Sequence, residues 1–312
     1  MRIAAIDIGT VTTRLLVADV TTDGIREIER STDITHLGEM LTVTGQLDDA
    51  AMRRVADTIG RYASRIADLG VERTAAYATS ASRDAENADA FLELLERSGV
   101  RPEIVTGATE ARLAFTGATY ELDGEGILVA DLGGGSTELI LGSVTTEDGE
   151  RVRDIEASRS IDVGSKRVTE LFLASDPPTT HELEEARAFV VGELRPYFDG
   201  LRTKPSEAVS LAGTATTLSA IKQELAVYDA ARVHNSCLTG SDLSDMLEML
   251  AALPLGKRME VVGLDPGRAP VIVAGTLILE AVIALAGLDS TLVSEHDILY
   301  GILLESYADA MC

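Results

Sequence analysis

Two carboxylates, Asp131 and Glu138, bracket the stretch GGGST in the segment VADLGGGSTELIL, residues 129–141. Hard oxygen donors beside a phosphate suit Mg²⁺, which takes one or two protein carboxylates and keeps several waters. Three consecutive glycines, Gly133, Gly134 and Gly135, weaken the strands that flank them. A turn of this composition, continued by Ser136, lets successive backbone N–H groups form an anion-binding concavity that no Cβ obstructs. The pattern also occurs 124 residues earlier. DIGTVTTRLL aligns without gaps on DLGGGSTELI, matching Asp7 with Asp131, Gly9 with Gly133, Thr13 with Thr137 and Leu15 with Leu139. This reads as an internal duplication of a strand–turn–strand unit. Asp7 is thereby a third carboxylate to consider for the metal, and a phosphate chain could lie in a cleft to which each half contributes one turn. An Asp in a tight turn also bonds its own backbone, and spacing alone leaves both roles open for Asp7 and Asp131.

Further candidates sit at element junctions. In ATSASRDAEN, Arg83 follows a strand where a helix begins, a place from which a guanidinium can hold phosphate. VSLAGTATTLSAI (209–221) reads as a strand, then Gly213 and Thr214, then a helix whose first amides are available to an anion. Arg14, Lys166, Arg167 and Arg268 are the other cations near these segments. Glu110, in TGATEARLAF, reads on spacing alone as a first-turn acid that complements the dipole of a helix capped by Thr106 or Thr109. Other phosphate motifs are absent: no G-x-x-x-x-G-K-[ST] occurs, and LGKR (255–258) lacks the preceding Gly and following hydroxyl. Glu138 stands where a nucleophile elbow needs Gly, which makes Ser136 a poor nucleophile.

The elements that must position these residues alternate, short β-rich runs with helical periodicity, which argues an α/β class. RIAAIDIG and TRLLVADV flank the first turn; MRRVADTIGRYASRIADLG, ENADAFLELLERSG and TEARLAFTGATY have helical spacing, and RTAAYATSA reads as a strand. At 312 residues two domains are expected. The acidic turn ELDGEG (121–126) marks the boundary, giving domains of 1–122 and 123–312, with a last helix near 296–312 able to pack back on the first. The run APVIVAGTLILEAVIALAGL (269–288) approaches a membrane span in length, but Glu280, Pro270 and Gly275 make it a buried helix instead. The first residues carry no signal-peptide pattern, so a cytoplasmic protein without membrane partners is expected.

Charge bounds the partners. With 27 Lys and Arg against 51 Asp and Glu the net charge is −24, so nucleic acid is repelled and an anionic substrate needs concentrated cations and backbone amides. Cys237 and Cys312 are too few for a disulfide framework. His36, His181, His234 and His296 form no HxxxH pair, and no zinc site is expected from their spacing.

The segments AAIDIGTVTTRLLVADV, AYATSASRDAENADAFL, GATEARLAFTGA, VADLGGGSTELILG, SRSIDVGSKRVTE, LAGTATTLSAI, YDAARVHNSCLT and GLDPGRAPVIVAGTLIL resemble, in order and over nearly the whole chain, the Ppx/GppA family. That family comprises exopolyphosphatases and guanosine pentaphosphate phosphohydrolases. The resemblance implies duplicated actin-like ATPase domains of the ribonuclease H-like kind. It implies Glu110 as general base for the attacking water, and Asp131 and Glu138 around Mg²⁺, to which the internal repeat adds Asp7 as a candidate ligand. Gly9 and Thr10, Gly133 to Ser136, and Gly213 and Thr214 match phosphate-binding loops, while Arg14, Arg83 and Arg268 match cations that contact substrate. The implied reaction is metal-assisted hydrolysis of a terminal phosphoanhydride on polyphosphate or a phosphorylated guanosine nucleotide, without a phosphoenzyme. Three departures stand out: Val11 where the family usually has Asn, Thr109 in place of an acid before Glu110, and no helical domains after SEHDILYGILLESYADA. The acidic surface favours short chains over long ones. A kinase of the same superfold, or a non-catalytic sensor of polyphosphate or guanosine nucleotide, also remains open; a homodimer is compatible with either, though no interface is legible.

Overall fold

The structure, a computed structural model, describes residues 1–147 and 150–311. Their contacts divide them into two compact units, one of Met1–Gly117 with the segment from Ile298 onward, the other Ala118–Asp297.

Unit 1 begins with strands β1 (Arg2–Ile8), β2 (Thr12–Thr21) and β3 (Gly24–Ile34), followed by helices α1 (Leu41–Thr44) and α2 (Asp49–Asp68). Then come β4 (Arg73–Ala78), α3 (Ser80–Asp84), α4 (Ala88–Arg97), β5 (Glu103–Ile104) and α5 (Gly107–Ala118). The described strands form one sheet in the order β3-β2-β1-β4-β5. β1–β2 and β2–β3 pair antiparallel, β1–β4 and β4–β5 parallel. Strand alternation sorts the side chains: Ala4, Ile6, Ile8, Leu15 and Val17 join Val55, Ile59, Phe91 and Leu95 in one core. Ile3, Ala5 and Leu16, also fully buried, point to the opposite face. Asp48 starts α2 by accepting the N–H groups of Ala50 and Ala51, and Gly70, at φ +64°, receives the chain after it.

Unit 2 contains β6 (Gly124–Leu132), β7 (Thr137–Glu147), β8 (Glu150–Ile161), α6 (Ser165–Phe172), α7 (Thr180–Asp199), β9 (Glu207–Leu211) and α8 (Ala212–Lys222). It continues with α9 (Ala230–Val233), β10 (Ser236–Thr239), α10 (Gly240–Ala252), α11 (Leu255–Arg258), a 3₁₀ turn at Pro266–Arg268, α12 (Ile272–Ala286) and β11 (Ser290–Val293). Its sheet runs β10-β11-β9-β6-β7-β8. The same antiparallel pair of hairpins followed by parallel strands thus appears twice, so the repeat in sequence is a repeat of topology. The apolar run at 269–288 is α12, surrounded by α6, α7, α8, α10 and β6, with Glu280 paired to Arg187 at 2.6 Å. No described helix is long and apolar enough to cross a membrane. Arg258, from the LGKR segment, is 4% exposed and donates to the carbonyls of Leu250, Leu253 and Ala269, closing the end of α10.

The expected boundary turn, 121–126, falls inside unit 2. Thr119 is fully buried there, its hydroxyl taken by Arg153 of β8 at 3.2 Å, so the chain joins unit 2 as α5 ends. The last helix, α13 (Ile298–Met311), packs on β1, β2 and β4 of unit 1. Gly301 makes this possible. A Cβ there would lie 2.0 Å from the carbonyl oxygen of Leu113 in α5, so the two helices touch backbone to backbone. Gly301→Ala is expected to destabilise unit 1 by about 1–3 kcal/mol, read as a lower denaturant midpoint with an unchanged slope. Cys237 is exposed and free, and Cys312 lies outside the described residues.

Candidate active site

The two hairpin turns are closed alike: the N–H of Gly9 donates to Thr12 O at 2.9 Å, that of Gly133 to Ser136 O at 3.0 Å. The ladders then set Asp7 opposite Arg14 and Asp131 opposite Glu138. Directly opposite residues share a face, with Cβ atoms roughly 4.5–5.5 Å apart. In unit 1 the charges close on each other: Arg14 Nε and Nη2 donate to Asp7 Oδ2 at 3.0 and 2.6 Å, and Asp7 is 4% exposed. In unit 2 the same two positions hold two half-buried carboxylates. Like charges directly opposite cost a sheet stability, and their oxygen donors fit Mg²⁺. Glu138 Oε1 accepts the hydroxyls of Ser136 at 2.8 Å and Ser160 at 2.6 Å, which orients the carboxylate.

The start of α6 packs beneath the three glycines. None of Gly133, Gly134 or Gly135 has a left-handed φ. Their carbonyls are instead taken by the start of α6: Ser165 N–H reaches Gly133 O at 3.0 Å, Lys166 and Arg167 N–H reach Gly134 O at 2.9 and 3.1 Å, and Arg167 Nε reaches Gly135 O at 3.0 Å. In a trans peptide the carbonyl and the following N–H point in opposite directions. The N–H groups of Gly134, Gly135 and Ser136 therefore face away from α6. Gly164 brings α6 this close, since a Cβ there would lie 2.4 Å from the carbonyl carbon and oxygen of Gly134. Unit 1 repeats the device. Thr10 O accepts Gly38 N–H, Val11 O accepts Thr35 and His36 N–H, all at 2.9 Å, and a Cβ on Gly38 would press on Thr10 Cγ2 at 2.4 Å.

Gly38, Gly164 and Arg167 thus hold the turns. The first two went unread in the sequence, although HLGEM and DVGSK each put a Gly just past a third strand, two residues off the register of the repeat. All three atoms nearest a Gly164→Ala methyl, two of Gly134 and one of Gly135, are backbone, so that variant is expected to lower turnover about 10²-fold while leaving the circular dichroism spectrum intact.

The remaining candidates occupy two places. In unit 2, β9 leads into α8 through Ala212 at φ +63°, a conformation costly for a non-glycine residue. Gly213 follows, with the Arg268 guanidinium laid directly on it: a Cβ would fall 1.4 Å from Nη1. Thr214 is buried, with its hydroxyl packed against Gly275. In unit 1, Thr106 Oγ1 accepts the N–H of Thr109 at 3.2 Å at the start of α5, settling which Thr caps it. Glu110 Oε2 there receives Arg83 Nη1 at 3.1 Å, and Arg83 Nη1 also donates to Val105 O at 3.0 Å. The expected base and one expected substrate cation are thus partners of each other, which spacing across 27 residues could not reveal.

The duplicated sheet, each copy carrying a Gly-closed turn between its first two strands, defines the class: a pair of actin-like, ribonuclease H-like units. The chain belongs to the Ppx/GppA phosphatase family, whose sequence profile it matches over residues 16–307. It is 40% identical over 323 residues to exopolyphosphatase 2 of Mycobacterium tuberculosis, covering 97% of this chain and 98% of that one. It is 32% identical to the bifunctional 3-dehydroquinate synthase/phosphatase of Fusobacterium nucleatum, matching 97% of this chain and 46% of that protein. The crystal structure of the Aquifex aeolicus Ppx/GppA family member superposes with a TM-score of 0.85 at 30% identity, covering 99% of this chain and 98% of the other. The protein is by class a hydrolase.

Proposed function

We propose that this chain removes the terminal phosphate of inorganic polyphosphate, short chains preferred, in a Mg²⁺-dependent reaction with water activated by Glu110. The observation that carries the reading is the ladder pair: two carboxylates, Asp131 and Glu138, at the positions where the other copy holds an Asp–Arg ion pair. The 40% identity to an exopolyphosphatase supports the substrate class.

The Gly134, Gly135 and Ser136 amides take phosphate oxygens, as do the turn at Gly9 and Thr10 and the amides at Gly213 and Thr214. Arg14 and Arg268 add fixed positive charge. Asp131 and Glu138 would hold Mg²⁺, which would offset negative charge on the phosphoryl oxygens. Arg83 has two anions to choose between. A phosphoryl group arriving at its guanidinium competes with Glu110, and the displaced carboxylate is then the acceptor for the proton of an in-line water.

Phosphate release from polyphosphates of defined length, from guanosine pentaphosphate and from ATP, each with Mg²⁺ and with EDTA, tests the reading. Release that needs Mg²⁺ and peaks on short polyphosphate is expected. Activity rising steadily into chains of hundreds would remove the short-chain preference. Preference for guanosine pentaphosphate would move the substrate to the nucleotide, and transfer to an acceptor instead of water would make the chain a kinase.

A further inference from the structure

In unit 2, residues far apart in sequence meet where the chain enters and leaves that unit. Glu121 follows α5, His296 precedes α13, and His234 lies between α9 and β10. Glu121 Oε2 is 3.1 Å from His234 Nε2, the two imidazole rings lie 3.9 Å apart centroid to centroid, and a donor atom from each of the three residues falls within 4.8 Å of the other two. Tyr120 and His296 meet edge to face, with 5.7 Å between ring centroids, and Asn235, at φ +59°, donates its side-chain amide to the same Glu121 oxygen at 3.1 Å.

We propose that Glu121, His234 and His296 form a binding site for a borderline transition-metal ion of the Zn²⁺ type, built without Asp131 or Glu138. Two imidazoles and one carboxylate are the donor set such an ion prefers over Mg²⁺, which favours oxygen alone. Donors at about 2.0–2.1 Å around a tetrahedral ion lie roughly 3.4 Å apart, close to the separation of Glu121 and His234. His234 also accepts the backbone N–H of Glu295 on Nδ1 at 3.2 Å, which puts its proton on Nε2. Metal on Nε2 moves that proton to Nδ1 and releases the Glu295 amide. The bound ion would tie the segment entering unit 2 to the segment leaving it. Positions 121, 234 and 296 are too widely spaced to register as a sequence motif, which is why no such site was expected from the histidines.

Co²⁺ titration of the full chain, followed by visible absorption and equilibrium dialysis, tests this. One equivalent bound with tetrahedral d–d bands is expected. Affinity should fall at least about tenfold in each of His234→Gln, His296→Gln and the solvent-exposed Glu121→Gln, and persist in the double variant Asp131→Asn, Glu138→Gln. Bound metal should also speed hydrogen exchange at the Glu295 amide. Binding no tighter than millimolar, six-coordinate spectra, or affinity unchanged by all three single substitutions would overturn the proposal. None of these readouts depends on the phosphatase reading.

Discussion

Replacing Glu110 by Gln is expected to slow phosphate release by about 10²–10⁴-fold, the range attached to a positioned general base. Gln keeps the length of the side chain and an oxygen that can still accept Arg83 Nη1, so the start of α5 should be unchanged. What it cannot do is take a proton. The loss should therefore appear in kcat with little change in KM, because the substrate still meets Arg83 and the turn amides. A variant that releases phosphate at the wild-type rate, with Mg²⁺ saturating, would remove Glu110 from the chemistry. Loss of Mg²⁺ binding in the same variant would instead assign it to the metal.

The second large effect follows from the duplication itself. Glu138→Arg copies into unit 2 the arrangement of unit 1, where an arginine opposite an aspartate closes an ion pair at 2.6 Å. The new guanidinium has Asp131 as its cross-strand partner, so the sheet should hold and the midpoint of unfolding should stay close to that of the wild type. The proposed metal ligand set is gone, however, and a fixed positive charge stands in its place. Phosphate release is expected to fall by about 10³-fold or more, and addition of Mg²⁺ should no longer raise the thermal midpoint, as a ligand of the folded state does. Retained, Mg²⁺-responsive activity in this variant would show that the ion is held elsewhere.

How much of this was written plainly in the chain depends on the range of the interaction. Gap-free alignment of DIGTVTTRLL on DLGGGSTELI foresaw two equivalent hairpins, because a strand pair and its turn are set by neighbours in sequence. Glu280 in an apolar run marked α12 as buried for the same local reason, though its partner Arg187 was not legible. Pairings across loops were out of reach. Nothing in the spacing says that Arg83 meets Glu110, that Arg268 lies on Gly213, or that Gly164 touches Gly134; each is fixed by where whole elements pack. The role of the three glycines was half visible. Their composition marked a turn between two strands, but the helix start that takes the turn's carbonyls from behind, and the Gly164 that lets it come so close, belong to tertiary structure.

The return of α13 to the first unit has a consequence for how the protein is made. Ile3, Ala5 and Leu16 face away from the core formed with α2 and α4, on the side where α13 packs against β1 and β2. During synthesis that side emerges from the ribosome early, and its cover is translated only after all of unit 2. The later-made unit can therefore complete its fold first, while the earlier one waits with an apolar sheet surface open to chaperones or to other nascent chains. On this topology the order of translation need not be the order of folding, because the first unit is completed only when α13 packs on it.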